Sequence, residues 1–169
     1  MIRRFFSILA AGVERINNFM WVISGFAILI AALILMYEVI MRYVLRIPTI
    51  WEIEASVYLV IMASFLGAAY GLKEGSHISI ELVTVHLSRR TNTYLTLITS
   101  FFSWIFCLIC AWKGWEMWWE AFSRGWVSES LWGPPLAVPY FFLPLGMTFL
   151  SLQYIIFLYH KIKDFKRLP

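Results

Sequence analysis

"INNFMWVISGFAILIAALILMY", Ile16 to Tyr37, runs for 22 residues without an Asp, Glu, Lys or Arg. As an α-helix it would be about 33 Å long, enough to cross a hydrocarbon core of about 30 Å. Three more stretches share this character: Ala55 to Leu72, Thr91 to Trp112, and Ser130 to His160 with its Pro-rich start. Ala55 to Leu72 is the shortest, and Ile53 with the aliphatic stem of Lys73 lengthens it. Lipid offers no partner to a free backbone N–H or C=O, so each stretch must close its hydrogen bonds internally as a helix. The expected fold is therefore an all-α membrane protein with four transmembrane helices, at about 19–41, 53–72, 92–114 and 138–159.

Composition agrees. Of 169 residues, 61% are hydrophobic and only 14% charged, where a soluble domain carries about a quarter charged. The net charge of +4 comes from basic residues scattered over separate loops, so no nucleic-acid surface is expected.

Those basic residues set the orientation. With the N-terminus inside, the inner segments hold Arg3, Arg4, Arg15, Lys73, Arg89, Arg90, Lys161, Lys163, Lys166 and Arg167; the outer ones hold Arg42, Arg46, Lys113 and Arg124. The bias places both termini in the cytoplasm. Trp112, Trp115, Trp118, Trp119, Trp126 and Trp132 crowd the end of the third span and the loop after it. That is the outer interface, where amphipathic rings settle. The loop itself is expected over roughly 114–136.

The start of the chain, "MIRRFFSILAAG", has the basic head and short apolar run of a signal peptide. However, Ile2, Phe5, Phe6, Leu9, Val13 and Ile16 recur at helical spacing, with Arg4, Ser7, Ala11, Glu14 and Asn18 opposite. That pattern predicts an interfacial amphipathic helix over 1–18, lying against membrane lipid, ahead of a four-helix transmembrane domain over 19–169. Between the second and third spans, "GLKEGSHISIEL" reads as an inner-surface connection with a short amphipathic helix after His77.

Chemistry is sparse. No span carries a charge near its midplane, where transporters of ions and acids build their sites. Glu38 and Arg42 are spaced for an i,i+4 ion pair late in the first span, and Lys113 and Glu116 are spaced similarly. Cys107 and Cys110 share a helix face inside the third span, where thiolate chemistry is disfavoured, and read as packing residues. His77 and Glu81 lack a nearby third ligand, so no metal site is expected. Haem ligation would want histidines on facing spans. His77 and His86 fall in the inner loop and His160 at the inner end of the fourth span. A haem-binding membrane anchor of a respiratory oxidoreductase is thus the alternative reading, and no cofactor is expected. No nucleophile–base pair or phosphate loop is present, so the chain does not read as an enzyme.

Packing is better signalled. Ala63, Gly67 and Gly71 follow at intervals of four, a small-residue ridge that lets helix backbones approach closely in lipid.

Three blocks carry a family resemblance. In "RYVLRIPTIWEIEA", Trp51 and Glu54 form a Trp-x-x-Glu before the second span. "FLGAAYGLKEGSHISIELV" contributes Gly67 and His77. In "SLWGPPLAVPYFFLPLG", Pro139, Pro144 and Gly146 mark a Pro-rich start to the fourth span. In this order the blocks resemble the small membrane (Q-type) subunit of TRAP, the tripartite ATP-independent periplasmic transporters, over roughly residues 20–160. Ile53 departs from the pattern, standing where many relatives have a second acid beside Glu54. The resemblance implies a multi-pass protein of the bacterial inner membrane working in sodium-coupled secondary uptake of an organic acid. Its implied partners are a large (M-type) membrane subunit, which moves the substrate, and a periplasmic substrate-binding protein. The small subunit would brace the large one and help dock the binding protein.

Overall fold

The computed structural model describes the backbone of residues 2–74 and 89–165, and the side chains of residues 10–74 and 91–163. Helix α1 spans Ile2–Val39 and runs on through a π-helical turn, Ile40–Val44; α2 spans Glu52–Lys73, α3 Arg89–Arg124, and α4 Ala137–Phe165. All four are long and apolar enough to cross a membrane. The N-terminal segment expected as an interfacial helix is helical from Ile2 and joins the first span without a break. The short helix expected after His77 falls outside the described residues.

One boundary needs correction. The loop expected over roughly 114–136 begins later, because α3 continues to Arg124 and leaves only Gly125–Leu136. The added turns are closed by side chains at helical spacing. Lys113 pairs with Glu116 at 2.7 Å, and Arg124 with Glu120 at 3.1 Å. On the other face, Trp118 packs on Phe141 of α4 with ring centroids 5.5 Å apart. The ion pairs hold the polar side of the helix and the aromatic contact fixes the apolar side.

Sequence explains the other ends. Glu52 and Glu54 lie in the first turn of α2 and Lys73 in its last, each opposite in sign to the helix dipole it meets. Pro139 falls in the first turn of α4, where its missing N–H costs no intrahelical bond. Pro144 sits inside α4 without ending it, and the Thr148 hydroxyl donates to the Pro144 carbonyl at 2.6 Å.

The helices form an open row. α1 packs along α2, α2 along α4 and α4 along α3, while α1 only touches α4. Across the layer the order is α1, α2, α4, α3. The most apolar stretch is 39% buried in α4 and 28% in α2, against 22% in α1 and 17% in α3; the last two are edges, each with a single full neighbour.

Small residues make the closest contacts in the row. Ala27 and Ala31 of α1 and Ala63 of α2 are buried, and the Ser56 hydroxyl donates to the Ala31 carbonyl at 3.4 Å. Where α2 meets α4, Gly146 lies on the backbone of Phe65; where α3 meets α4, Gly114 lies on Leu143 and Pro144. A shared core of Ala69, Leu72, Cys107, Leu150 and Tyr154 draws on α2, α3 and α4.

Candidate functional site

Two polar fastenings, one at each end of α2, hold the row together. At the N-terminal end of α2, Glu54 in its first turn accepts hydrogen bonds from Ser128, and from Ser130 at 2.5 Å. Both serines lie in the α3–α4 loop. Trp51, just before α2, meets Tyr37 of α1 and Trp132 of the loop, each with ring centroids 6.4 Å apart. The Trp-x-x-Glu positions therefore act as one clasp, with the ring and the carboxylate both gripping the same loop.

The loop is also closed by bonds of its own. Ser128 N–H donates to the Pro134 carbonyl at 2.9 Å, and Leu136 N–H to the Trp126 carbonyl at 2.9 Å, around an isolated bridge between Val127 and Pro135. Gly133 adopts a left-handed φ of 60°, and its N–H reaches the Ser130 hydroxyl at 3.2 Å.

At the C-terminal end of α2, Asn17 of α1 donates to Gln153 of α4 at 2.9 Å, with both side chains buried. Lys73 of α2 donates to Asn18 at 2.8 Å, and Trp21 stacks on Tyr70 at 4.7 Å. Three helices are tied here by groups that lipid could not satisfy.

The other residues singled out from sequence are distributed as follows. Arg42 meets Glu38 at 2.5 Å, with Glu38 largely buried. Ala63 is buried, and a methyl on Gly67 would stand 3.4 Å from the Ser24 hydroxyl of α1. Gly71 faces open space. The ridge thus serves contact within this chain at two of its three positions. Cys107 is a buried core residue and carries no disulfide. His160 is exposed beside Tyr159; His77, Glu81 and His86 lie outside the described residues. No group of three His, Cys, Asp or Glu able to hold a metal occurs among the described residues.

Glu52 was not anticipated. It is 1% exposed and accepts a hydrogen bond from the Trp51 N–H at 3.1 Å. Its other oxygen, the Thr49 hydroxyl and the Tyr58 hydroxyl are buried without a hydrogen-bond partner among the described residues. A signal did exist. Glu52 and Glu54 stand two apart, so on a helix they point in nearly opposite directions, and one of them had to face a neighbour.

Fold and fastenings together define a polytopic, all-helical integral membrane protein. Residues 31–164 match the DctQ component of the tripartite ATP-independent periplasmic transporters, and the chain belongs to that family. It is similar to the C4-dicarboxylate TRAP transporter small permease protein DctQ of Vibrio cholerae serotype O1, with 27% identity over 140 residues. That alignment covers 70% of this chain and spans 60% of the relative's length. Membership of a transporter family gives no support to the haem-anchor alternative.

Proposed function

We propose that this chain is a non-catalytic brace in the bacterial inner membrane. It widens the fixed scaffold of a large TRAP membrane subunit that carries an organic acid inward with sodium. Both termini face the cytoplasm in this reading, following the charge bias of the loops. The periplasmic binding protein meets the complex at the outer ends of the helices, where the clasp holds the α3–α4 loop in one shape.

One observation carries the reading. The helices lie in an open row whose closest contacts are made by small residues, while many large side chains of the edge helices are exposed. Phe19, Phe26, Leu33 and Met36 of α1 are all more than half exposed. An open layer encloses no passage for a solute, yet offers long apolar edges to lipid and to a partner helix. A row pinned at both ends is stiff, as a support must be.

The test is affinity purification of the tagged chain from membranes, followed by mass determination. A complex with a much larger multi-span protein is expected. Organic-acid uptake should be lost when the small chain is deleted and the large one retained. Recovery of the chain alone, transporting substrate in liposomes as a homo-oligomer, would sink the reading.

A further inference from the structure

Three of the four helices agree on where the membrane lies. The middle of the uncharged run Ala55–Leu72 of α2 falls at Ala63 and Ser64. The next residue, Phe65, meets Gly146 of α4, beside Leu145 at the middle of the run Ser130–His160. On α1, the contacts of Ser24 with Gly67 and of Ala31 with Ser56 bracket Phe26 and Ala27, the middle of Ile16–Tyr37. α2 is about 33 Å long, close to the thickness of the hydrocarbon. It carries Glu52 and Glu54 at one end and Lys73 at the other, so it cannot slide far.

α3 is the exception. Gly114 rests on Leu143 and Pro144 of α4, beside Leu145, so Lys113 and Glu116 stand within a turn of the level of Ala63 and Ser64. Read as sequence, this ion pair closed the third span; in the fold it lies near the middle of the layer. It opens a ladder of Lys113, Glu116, Glu120 and Arg124 along one face of α3, with side chains 46% to 72% exposed. An average helix lean of about 20°, over the two spacings of about 9 Å between α2 and α3, moves α3 by only about 7 Å. Headgroups begin about 15 Å from the midplane. Charges left at such depth turn to protein or to enclosed water, not to lipid tails.

We propose that this stripe of α3 is the seam on which a transmembrane helix of the large subunit packs, with hydrogen-bonding side chains set against Lys113, Glu116, Glu120 and Arg124. The stripe is longer than the ladder. Phe102, Phe106 and Ile109, all exposed, continue it toward the start of α3. From Phe102 to Arg124 its members are spaced by four, three, four, three, four and four residues, close to the period of a seam between two helices. The partner helix is therefore apolar opposite Phe102, Phe106 and Ile109 and polar opposite the charges.

A second copy of this chain does not fit the seam. A two-fold axis along the membrane normal would set Lys113 against Lys113 and Glu116 against Glu116, like charge against like. The opposite edge of the row suits lipid instead, since α1 exposes Phe19, Phe26, Leu33 and Met36 and has no charge from Ile16 to Tyr37. The two edges thus differ in kind, and α3 is the one that needs a protein neighbour. The identity of that neighbour rests on the scaffold reading.

Photocrosslinking in membranes that hold both subunits tests it, with a photoreactive phenylalanine analogue placed in turn at Phe106, Ile109 and Phe26. Phe106 and Ile109 should each give at least about tenfold more adduct with the large subunit than Phe26, which faces lipid. The double variant Lys113→Leu, Glu116→Leu should lower recovery of the large subunit with the tagged small chain at least about tenfold, because polar groups of the partner lose their bonds. Adducts from Phe26 without any from Phe106 and Ile109 would overturn the seam, as would full recovery of the large subunit with the double variant. Ready labelling of Glu116→Cys by a charged maleimide in the intact complex would do the same, by showing water where the partner helix should lie. In each of these outcomes the two subunits still purify together, so the scaffold reading stands. If the unaltered chain fails to bring down the large subunit, the scaffold reading falls and the seam falls with it.

Discussion

Gly146 of α4 lies so close to Phe65 of α2 that a methyl group there would fall 2.6 Å from the Phe65 carbonyl carbon and overlap its oxygen. The obstacle is backbone, which cannot turn aside as a side chain can. Gly146→Ala should therefore separate α2 from α4 and lower stability by about 1–3 kcal/mol, the usual cost of overpacking. Gly71→Ala is the control, since nothing lies within 4 Å of the added carbon; it should be neutral or gain up to about 1 kcal/mol from helix propensity. Thermal unfolding of both variants in the same detergent checks the contrast, and equal behaviour would refute this close approach.

Glu54 holds the α3–α4 loop through Ser128 and Ser130. Hydrogen bonds to a charged acceptor contribute about 1.5–3 kcal/mol when shielded. With Ser130 exposed, the lower end is expected here. Glu54→Ala should free the loop without unfolding the helices. Hydrogen exchange in nanodiscs should speed up at Ser128 and Leu136 while amides of α2 beyond its first turns stay protected. Unchanged exchange at Ser128 would mean the clasp does not hold.

The four helices were legible because lipid forces any long uncharged run into a helix, which makes Ile16 to Tyr37 decisive from composition alone. The Glu38–Arg42 pair was legible because it depends on spacing within one helix. The order of the row was not. Every helix is apolar nearly all round, so periodicity gives no inward face to read, and the small-residue ridge on α2 did not reveal that the tightest contacts use Gly146 and Gly114. The clasp was hidden for a different reason, since Glu54 and Ser128 are 74 residues apart and only folding brings them together. The end of α3 was misplaced because its tryptophans read as an interfacial loop. The better signal was the charge spacing of Lys113, Glu116, Glu120 and Arg124, which is that of a continuing helix.

Asn17 and Gln153 together give a cleaner measure of the α1–α4 fastening than either residue alone. Removing one leaves the other unsatisfied among buried neighbours, so single truncations overstate the bond. In a double-mutant cycle with Asn17→Ala and Gln153→Ala, a coupling of about 0.5–1.5 kcal/mol is expected, the range for interhelical hydrogen bonds in membranes. Additive effects would show that α1 and α4 are not joined at this point.

Arg46 offers a prediction of the opposite sign. It follows the π-helical end of α1 with φ of 56°, a left-handed conformation that costs a side-chain-bearing residue about 1–2 kcal/mol. The backbone leaves no other choice, because Leu45 N–H is bonded to the Ile40 carbonyl at 3.2 Å and Ile47 N–H to the Met41 carbonyl at 3.0 Å. Arg46→Gly should relieve the strain and, after the extra entropy of the unfolded glycine, raise stability by about 0.5–1 kcal/mol. Arg46→Val should lower it, because β-branching makes the left-handed region still less favourable. Unfolding of the two variants beside the parent protein decides the matter. A loss of stability in Arg46→Gly would mean that the exposed guanidinium makes a contact, to lipid or to a partner chain, worth more than the relief of its backbone.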